Sequence, residues 1–173
     1  MIRTATAGDA AALATLAAAT FPLACPPDAL PESVQHFIAT NLTEQHFDAY
    51  LADPARLLLI AEPGGAASGY TMLVSGEPSD PDVLEALSLY PTVELSKFYV
   101  LESAHGSGLA GDLMLATLAA ARAQGAAGAW LGVNNENAKA NRFYEKHGFA
   151  RVGTKKFLVG ERWEDDFVRE REL

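Results

Sequence analysis

His105-Gly106-Ser107-Gly108-Leu109-Ala110 follows a strand-like run, Glu94 to Val100, and leads into an apolar helical stretch. A glycine-rich turn in that position is an anion cradle. Glycine admits left-handed backbone and lets the main chain approach a ligand closely, while the unpaired N–H groups of a helix start carry partial positive charge that favours phosphate. Downstream lies a second block: Trp130-Leu131-Gly132-Val133, then Asn137, then Phe143-Tyr144-Glu145-Lys146-His147-Gly148-Phe149. The two blocks together are far more specific than either alone.

Read by itself, Gly106-Ser107-Gly108-Leu109-Ala110-Gly111 fits the G-x-G-x-x-G pattern of dinucleotide sites. Its surroundings do not. Glu94, Ser96 and Lys97 interrupt the preceding strand, and the following strand runs into Asn134 and Asn135, with no acidic residue to hold a ribose. Two glycines easing a tight turn are the simpler alternative.

With 173 residues, 49% of them hydrophobic, the chain is long enough for one well-packed domain and short for two, so a single domain over residues 1–173 is expected. A net charge of −9 and a pI near 4.8 argue against nucleic acid or an anionic membrane as partner. A cationic substrate is compatible with that charge, as is simple solubility. The single cysteine, Cys25, rules out an internal disulfide and suits a reducing compartment. Asp9 and Thr15 break up the alanine-rich run Ala10 to Ala19, no 18-residue apolar stretch is read, and a soluble cytoplasmic protein is expected.

Ile2 to Thr6 alternates as a strand, and Asp9 stands where an N-cap would start an alanine-rich helix. Four prolines make Thr20 to Pro31 a loop, and Asn41 to Glu44 resembles a capping box for a helix burying Phe47, Tyr50 and Leu51. Leu57 to Glu62 and Gly69 to Val74 flank Pro63-Gly64-Gly65 as a hairpin. Ser75 to Pro91 reads as a surface excursion facing substrate. After the strand Thr92 to Val100 come a helix over 108–124 burying Leu109, Leu113, Ala116 and Ala120, a strand at 129–133, and a helix over 138–147. Strands at 149–159 and 167–173 close the chain. This order predicts an α/β (α+β) fold: a mixed, mostly antiparallel sheet flanked by helices, with one parallel pair formed by the strand before the glycine turn and the one at Trp130.

His105-x-x-Gly108-x-Ala110 resembles the acyl-CoA signature of the GNAT superfamily of N-acetyltransferases, Arg/Gln-x-x-Gly-x-Gly/Ala, with His105 as the one departure. Asn137-x-x-Ala140-x-x-Phe143-Tyr144-x-x-x-Gly148-Phe149 is similar to that superfamily's second motif. Thr20-Phe21, Asn41 to Leu51, Glu94 to Val100, Trp130 to Val133 and Phe157 to Gly160 resemble the PaiA-type polyamine acetyltransferases, which act on spermidine and spermine.

The resemblance implies a fold in which the parallel pair splays beyond the turn. The cofactor's pantetheine arm would lie in the gap against backbone groups of Phe98, Tyr99 and Val100, and acetyl-CoA would serve as cosubstrate, its diphosphate held by His105, Gly106, Ser107, Gly108, Leu109, Ala110 and Gly111. It further implies an N–H near Val100 at the thioester oxygen, Tyr144 as general acid and Asn137 as a cofactor contact. A core aromatic and a helix N-cap are the plainer roles for the last two.

A phenol with a reference pKa of about 10 stays protonated at neutral pH and can protonate a thiolate. An alkyl ammonium with a reference pKa of about 10.4 must lose a proton before it attacks, and Glu94 is the candidate to take it, the alternative being an exposed edge charge. Glu62, Asp82 and Glu85 are further candidates for a second positive centre, and Lys139, Arg142 or Lys146 for the cofactor's phosphates.

Four histidines without a cysteine cluster or H-E-x-x-H suggest no metal site, no G-x-S-x-G nucleophile turn exists, and Cys25 lacks a basic neighbour to form a thiolate. The expected function is acetyl transfer to a primary amine, a polyamine or similar small cation. Acetylation of a protein N-terminus or lysine, and a non-catalytic acyl-CoA sensor, are the alternatives. A monomer or a homodimer would both fit, with the tail strand Phe167 to Leu173 a candidate dimer edge that Arg169, Glu170, Arg171 and Glu172 could equally blunt.

Overall fold

The computed structural model describes residues 1–159 and 161–173, with the backbone alone at Val159; Gly160, which ends the aromatic segment Phe157 to Gly160, lies outside the described residues. In chain order the elements are β1 (Ile2–Thr4), α1 (Ala10–Ala24), α2 (Pro31–Asn41), α3 (Glu44–Ala52), β2 (Arg56–Ala61), β3 (Gly69–Ser75), α4 (Pro81–Ala86), β4 (Thr92–Val100), α5 (Leu109–Ala123), β5 (Gly128–Asn134), α6 (Ala138–Lys146), β6 (Ala150–Val159) and β7 (Arg162–Glu172). The strands form one seven-stranded sheet ordered β1-β2-β3-β4-β5-β7-β6. Every pairing is antiparallel except β4 with β5.

Alternation along the strands builds two apolar layers. Leu58, Ile60, Tyr70 and Met72 meet Leu13, Leu16, Ala17 and Phe47 of α1 and α3 on one face. Leu59, Ala61, Val93 and Leu95 meet Leu113, Met114 and Leu118 of α5 on the other. The seam of α5 is turned from the expected one. Leu113 is fully buried, but Leu109, Ala116 and Ala120 are half-buried, and Met114, Thr117, Leu118 and Ala121 complete the inward side.

One irregularity in β4 decides which of its side chains share a face. Met72 pairs with Lys97 and Leu73 with Leu95, which leaves Ser96 as an extra residue, a β-bulge. Because side chains alternate with a period of two, the extra residue exchanges the faces. Val93 and Leu95 pack toward α5 before the bulge and Val100 after it, while Tyr99 turns to the α1 layer. Glu94, ahead of the bulge, thereby shares a face with Lys97 and Tyr99.

The parallel pair is short. Thr92, Val93 and Glu94 pair with Gly128, Ala129 and Trp130, and there the ladder ends, although β5 stays paired with β7 as far as Asn134. Beyond Glu94 and Trp130 the two strands part.

Several expectations need correction. Thr20 to Pro31 is not all loop: α1 continues through Pro22 to Ala24, and the helical donor that Pro22 lacks would have served Ala18, which is exposed to water. Residues Ala7–Ala24 do form a helical stretch long and apolar enough to cross a membrane by length and composition, with mean hydropathy 1.3, against the expectation that no such stretch exists. Its inward side, Leu13, Leu16, Ala17 and Phe21, is core. Asp9 does not cap α1 through its side chain; its carboxylate accepts from the Thr6 N–H at 2.7 Å and from Arg3 at 2.9 Å. The tail strand begins at Arg162 and lies between β5 and β6, so it offers no free edge, and Arg169 and Glu170 are buried.

Candidate active site

The parting of β4 and β5 opens a cavity of about 390 Å³, walled by the end of α1, β4, β5, α6 and the β6–β7 hairpin. Glu94, Phe98, Tyr99, Val100, His105, Ala110, Asn137 and Tyr144 all line it. The two sequence blocks therefore meet across one cleft.

On β4, Leu101 donates its N–H to Ser68 on the β3 side at 2.8 Å. Bonding directions alternate along an antiparallel strand, so the N–H and C=O groups of Val100 and Phe98 point the opposite way, into the splay. Tyr99 directs its backbone to Tyr70 of β3 and contributes its ring, which stacks on Tyr70 at 5.6 Å.

The turn before α5 is shaped by two left-handed glycines, Gly106 (φ 80°) and Gly108 (φ 90°), where a Cβ would be strained. The amides of His105, Ser107 and Leu109 are used locally, by Glu102 O, Ala104 O and Ser107 Oγ. Those of Gly106, Gly108, Ala110 and Gly111 have no partner among the described residues. Four free donors at a helix N-terminus fit a diphosphate.

His105 turns inward from this loop. Its Nε2 lies 3.1 Å from the Val100 carbonyl oxygen and its Nδ1 2.9 Å from Lys139 Nζ. Of the three basic residues that could contact the phosphates, Lys139 is the one in the cleft lining.

Asn137 caps α6, with Oδ1 accepting from the Ala140 N–H at 3.0 Å, and it lines the cleft as well. A buried arginine holds this helix in place. Arg169 donates to Asn141 Oδ1 at 3.0 Å and to Phe149 O at 2.9 Å, and Asn141 in turn donates to the carbonyls of Asn134 and Asn137, both at 3.0 Å. Tyr144, one turn further along α6, packs among Phe98, Phe143 and Phe149. Burial, then the neighbouring Tyr99, raises its pKa, so the phenol keeps its proton.

Glu94 lies where the ladder ends. Burial lifts its pKa above the ordinary carboxylate value, against the opposing fields of Lys155, Lys97 and Arg56. Lys97 is shifted downward, mainly by burial.

Residues not anticipated from sequence complete the wall. Glu164 and Asp166 project into the cleft from β7, and Lys155 and Phe157 from β6. Burial pushes the Asp166 carboxyl up to about 6 against the pull of Lys155, with Glu164 and Asp165 adding to the rise. A sequence signal for them exists: Glu164, Asp166 and Val168 are buried at the strand spacing of two, whereas the expected strand starts only at Phe167. Cys25 also lines the cleft, its thiol pushed up to about 11, chiefly by burial. It is protonated there.

Other candidates lie elsewhere. Glu62 is bound by Arg3 at 2.8 Å at the outer end of β2. Asp82 and Glu85 are exposed on α4, whose Val83 packs on Trp130 and Val168, so the 75–91 excursion braces the sheet outside the cleft. Among the described residues no group of three or more His, Cys, Asp or Glu could hold a metal ion.

A model of the Acetyltransferase (GNAT) family matches residues 16–149. An uncharacterized N-acetyltransferase of Mycobacterium tuberculosis is 46% identical over 165 residues, covering 95% of this chain and 98% of the relative. In fold the chain is similar to the PaiA N-acetyltransferase of Thermoplasma acidophilum solved with coenzyme A (TM-score 0.79, 16% identity, covering 100% and 98% of the two chains). It is also similar to the ribosomal-protein-alanine N-acetyltransferase of Brucella melitensis (TM-score 0.67, 23% identity, 100% and 99%).

Proposed function

The chain belongs to the acetyltransferase (GNAT) family, and on that footing we propose that it transfers an acetyl group from acetyl-CoA directly to the primary amine of a small cation. Acetyl-CoA supplies an activated thioester carbonyl. The free amides of Gly106, Gly108, Ala110 and Gly111, with His105, Ser107 and Leu109 shaping the turn, hold the diphosphate. Phe98 offers its outward backbone groups, and Val100 its N–H, to the extended arm as a neighbouring strand would, the Val100 carbonyl being held by His105, and Tyr99 lines the same wall. The Val100 N–H stabilises charge growing on the carbonyl oxygen as the amine attacks. Glu94 takes the proton that the ammonium must shed, and Tyr144 gives one to the departing sulfur. Asn137 fixes the start of α6 and touches the cofactor.

One observation carries this reading. The cavity opened where β4 parts from β5 is lined by Glu94, Tyr144, and His105 and Ala110 of the turn that carries the unpaired amides. The likeness to PaiA-type enzymes puts polyamines among the acceptors to test. The Brucella neighbour keeps a polypeptide N-terminus as a second reading.

Release of free thiol from acetyl-CoA across a panel of amines and peptides tests the reading. Turnover with a small amine, and a Tyr144→Phe loss of about 100-fold in kcat at unchanged acetyl-CoA affinity, are expected. Tight coenzyme A binding with no thiol release for any amine or peptide would make the chain a sensor.

A further inference from the structure

The acceptor end of the cavity carries three carboxylates, Glu94, Glu164 and Asp166, yet two of them are already spent. Glu164 Oε1 is bound by Arg162 Nε at 2.9 Å. Asp166 faces Lys155 Nζ at 3.9 Å, the nearest cation to it, and both side chains are largely enclosed, 9% and 14% exposed. Lys155 is built into this position. Gly132 clears the space, since a Cβ there would come within 2.5 Å of Lys155 Cε, and the ammonium sits 5.3 Å from the centre of the Phe157 ring. The acceptor end of the cavity thus already holds an ammonium of its own beside Asp166, and Lys97 adds a second amine to the lining on the Glu94 face.

Glu94 is the carboxylate left over: among the described residues it forms no hydrogen bond and no ion pair within 4 Å. Apart from Lys97, Ser96 and Thr20, the wall around Glu94 is mostly apolar and aromatic. Phe21 and Phe37 stack at 4.5 Å, Phe157 meets Phe37 edge-on at 5.8 Å, and Leu23 and Leu42 lie beside them.

We infer that the acceptor is a monoamine, one ammonium received by Glu94 and joined to an apolar or aromatic body, and that Lys155 excludes acceptors with a second positive centre. A second buried ammonium would find its carboxylate taken and a like charge in its place, which costs more than the aromatic wall returns. This rests on the acetyl-transfer reading and narrows it: polyamines become the disfavoured class.

A matched pair of acceptors, n-hexylamine and 1,6-diaminohexane, differs only in the second ammonium. Wild-type kcat/KM should favour the monoamine by at least about tenfold, and Lys155→Met should shrink or reverse that ratio by about tenfold, as a relieved charge clash of roughly 1.4 kcal/mol would. Lys155→Gln serves if the methionine variant fails to fold. Calorimetric binding of the same two amines gives the ratio even if neither turns over, so a failed acetyl-transfer reading, seen as absent thiol release, stays distinguishable. A wild-type preference for the diamine, or a ratio that Lys155→Met leaves in place, overturns the inference.

Discussion

His105 Nε2 lies 3.1 Å from the carbonyl oxygen of Val100, which ties the phosphate turn to the strand that receives the thioester. A carbonyl accepts only, so Nε2 carries the proton and Nδ1 accepts from Lys139 at 2.9 Å. The family signature has arginine or glutamine here; in this chain the side chain serves as a strut between two parts of the site.

Removing the strut should loosen cofactor binding and spare the chemistry. His105→Ala loses a hydrogen bond worth about 1 kcal/mol net, so the KM for acetyl-CoA should rise about fivefold. Saturating kcat should stay within about threefold of the parent. Steady-state kinetics decide it, and an unchanged KM would show that the strut is idle.

Glu94 holds its proton to higher pH than an ordinary carboxyl because it is buried. It can accept the amine's proton only when ionised, so activity should fall on the acid side at a pH above the usual carboxylate range of about 4. Glu94→Gln should lower kcat/KM for the amine about 100-fold and erase that acid limb while acetyl-CoA binding persists. Equal losses toward both substrates would take Glu94 off the acceptor side.

Two glycines of β5 should behave oppositely. A Cβ at Gly132 meets the mobile end of Lys155, whereas one at Gly128 meets Leu89 Cβ at 2.5 Å and Leu89 O at 3.1 Å. Gly132→Ala should leave the melting temperature nearly unchanged and alter amine KM by displacing Lys155. Gly128→Ala should cost about 1–3 kcal/mol of stability. Thermal melts and amine kinetics of both variants check this, and a large destabilisation by Gly132→Ala would contradict the view of it as clearance for a side chain.

The Asp166 carboxyl, raised to about 6, binds its proton more tightly folded than unfolded. The folded state therefore loses stability as pH climbs from the unfolded value near 4 through 6, by on the order of 2 kcal/mol. Asp166→Asn should consequently compare better with the parent at pH 8 than at pH 4, the gap in melting temperature moving by roughly 5 °C. A pH-independent gap would mean that Lys155 fully compensates the ionised carboxylate.

Much of the site is legible in the chain because its signals are local. Gly106 and Gly108 announce a left-handed turn, Asn137 a cap and Gly148 a helix end, each by the chemistry of one residue and its neighbours. The acceptor wall is not legible. Lys155 and Asp166 are directly opposite partners across a hairpin, and their arrival beside Glu94 depends on β7 inserting between β5 and β6, a pairing no local pattern announces. Pro22 misleads for the complementary reason: a proline near the end of a long helix sacrifices one solvent-facing bond, and the packing of Leu16, Ala17 and Phe21 outweighs it.

The strand ladder between β4 and β5 has three rungs, at Thr92, Val93 and Glu94, beside the Pro91 carbonyl that accepts from Ala127 and Gly128. The ladder closes at one end only, and a molecule laid along Phe98 and Val100 would supply the missing rungs. Occupancy and cohesion of the two strands are then a single variable, and amide exchange at those three residues should slow in step with saturation by coenzyme A, making the ladder its own gauge of filling.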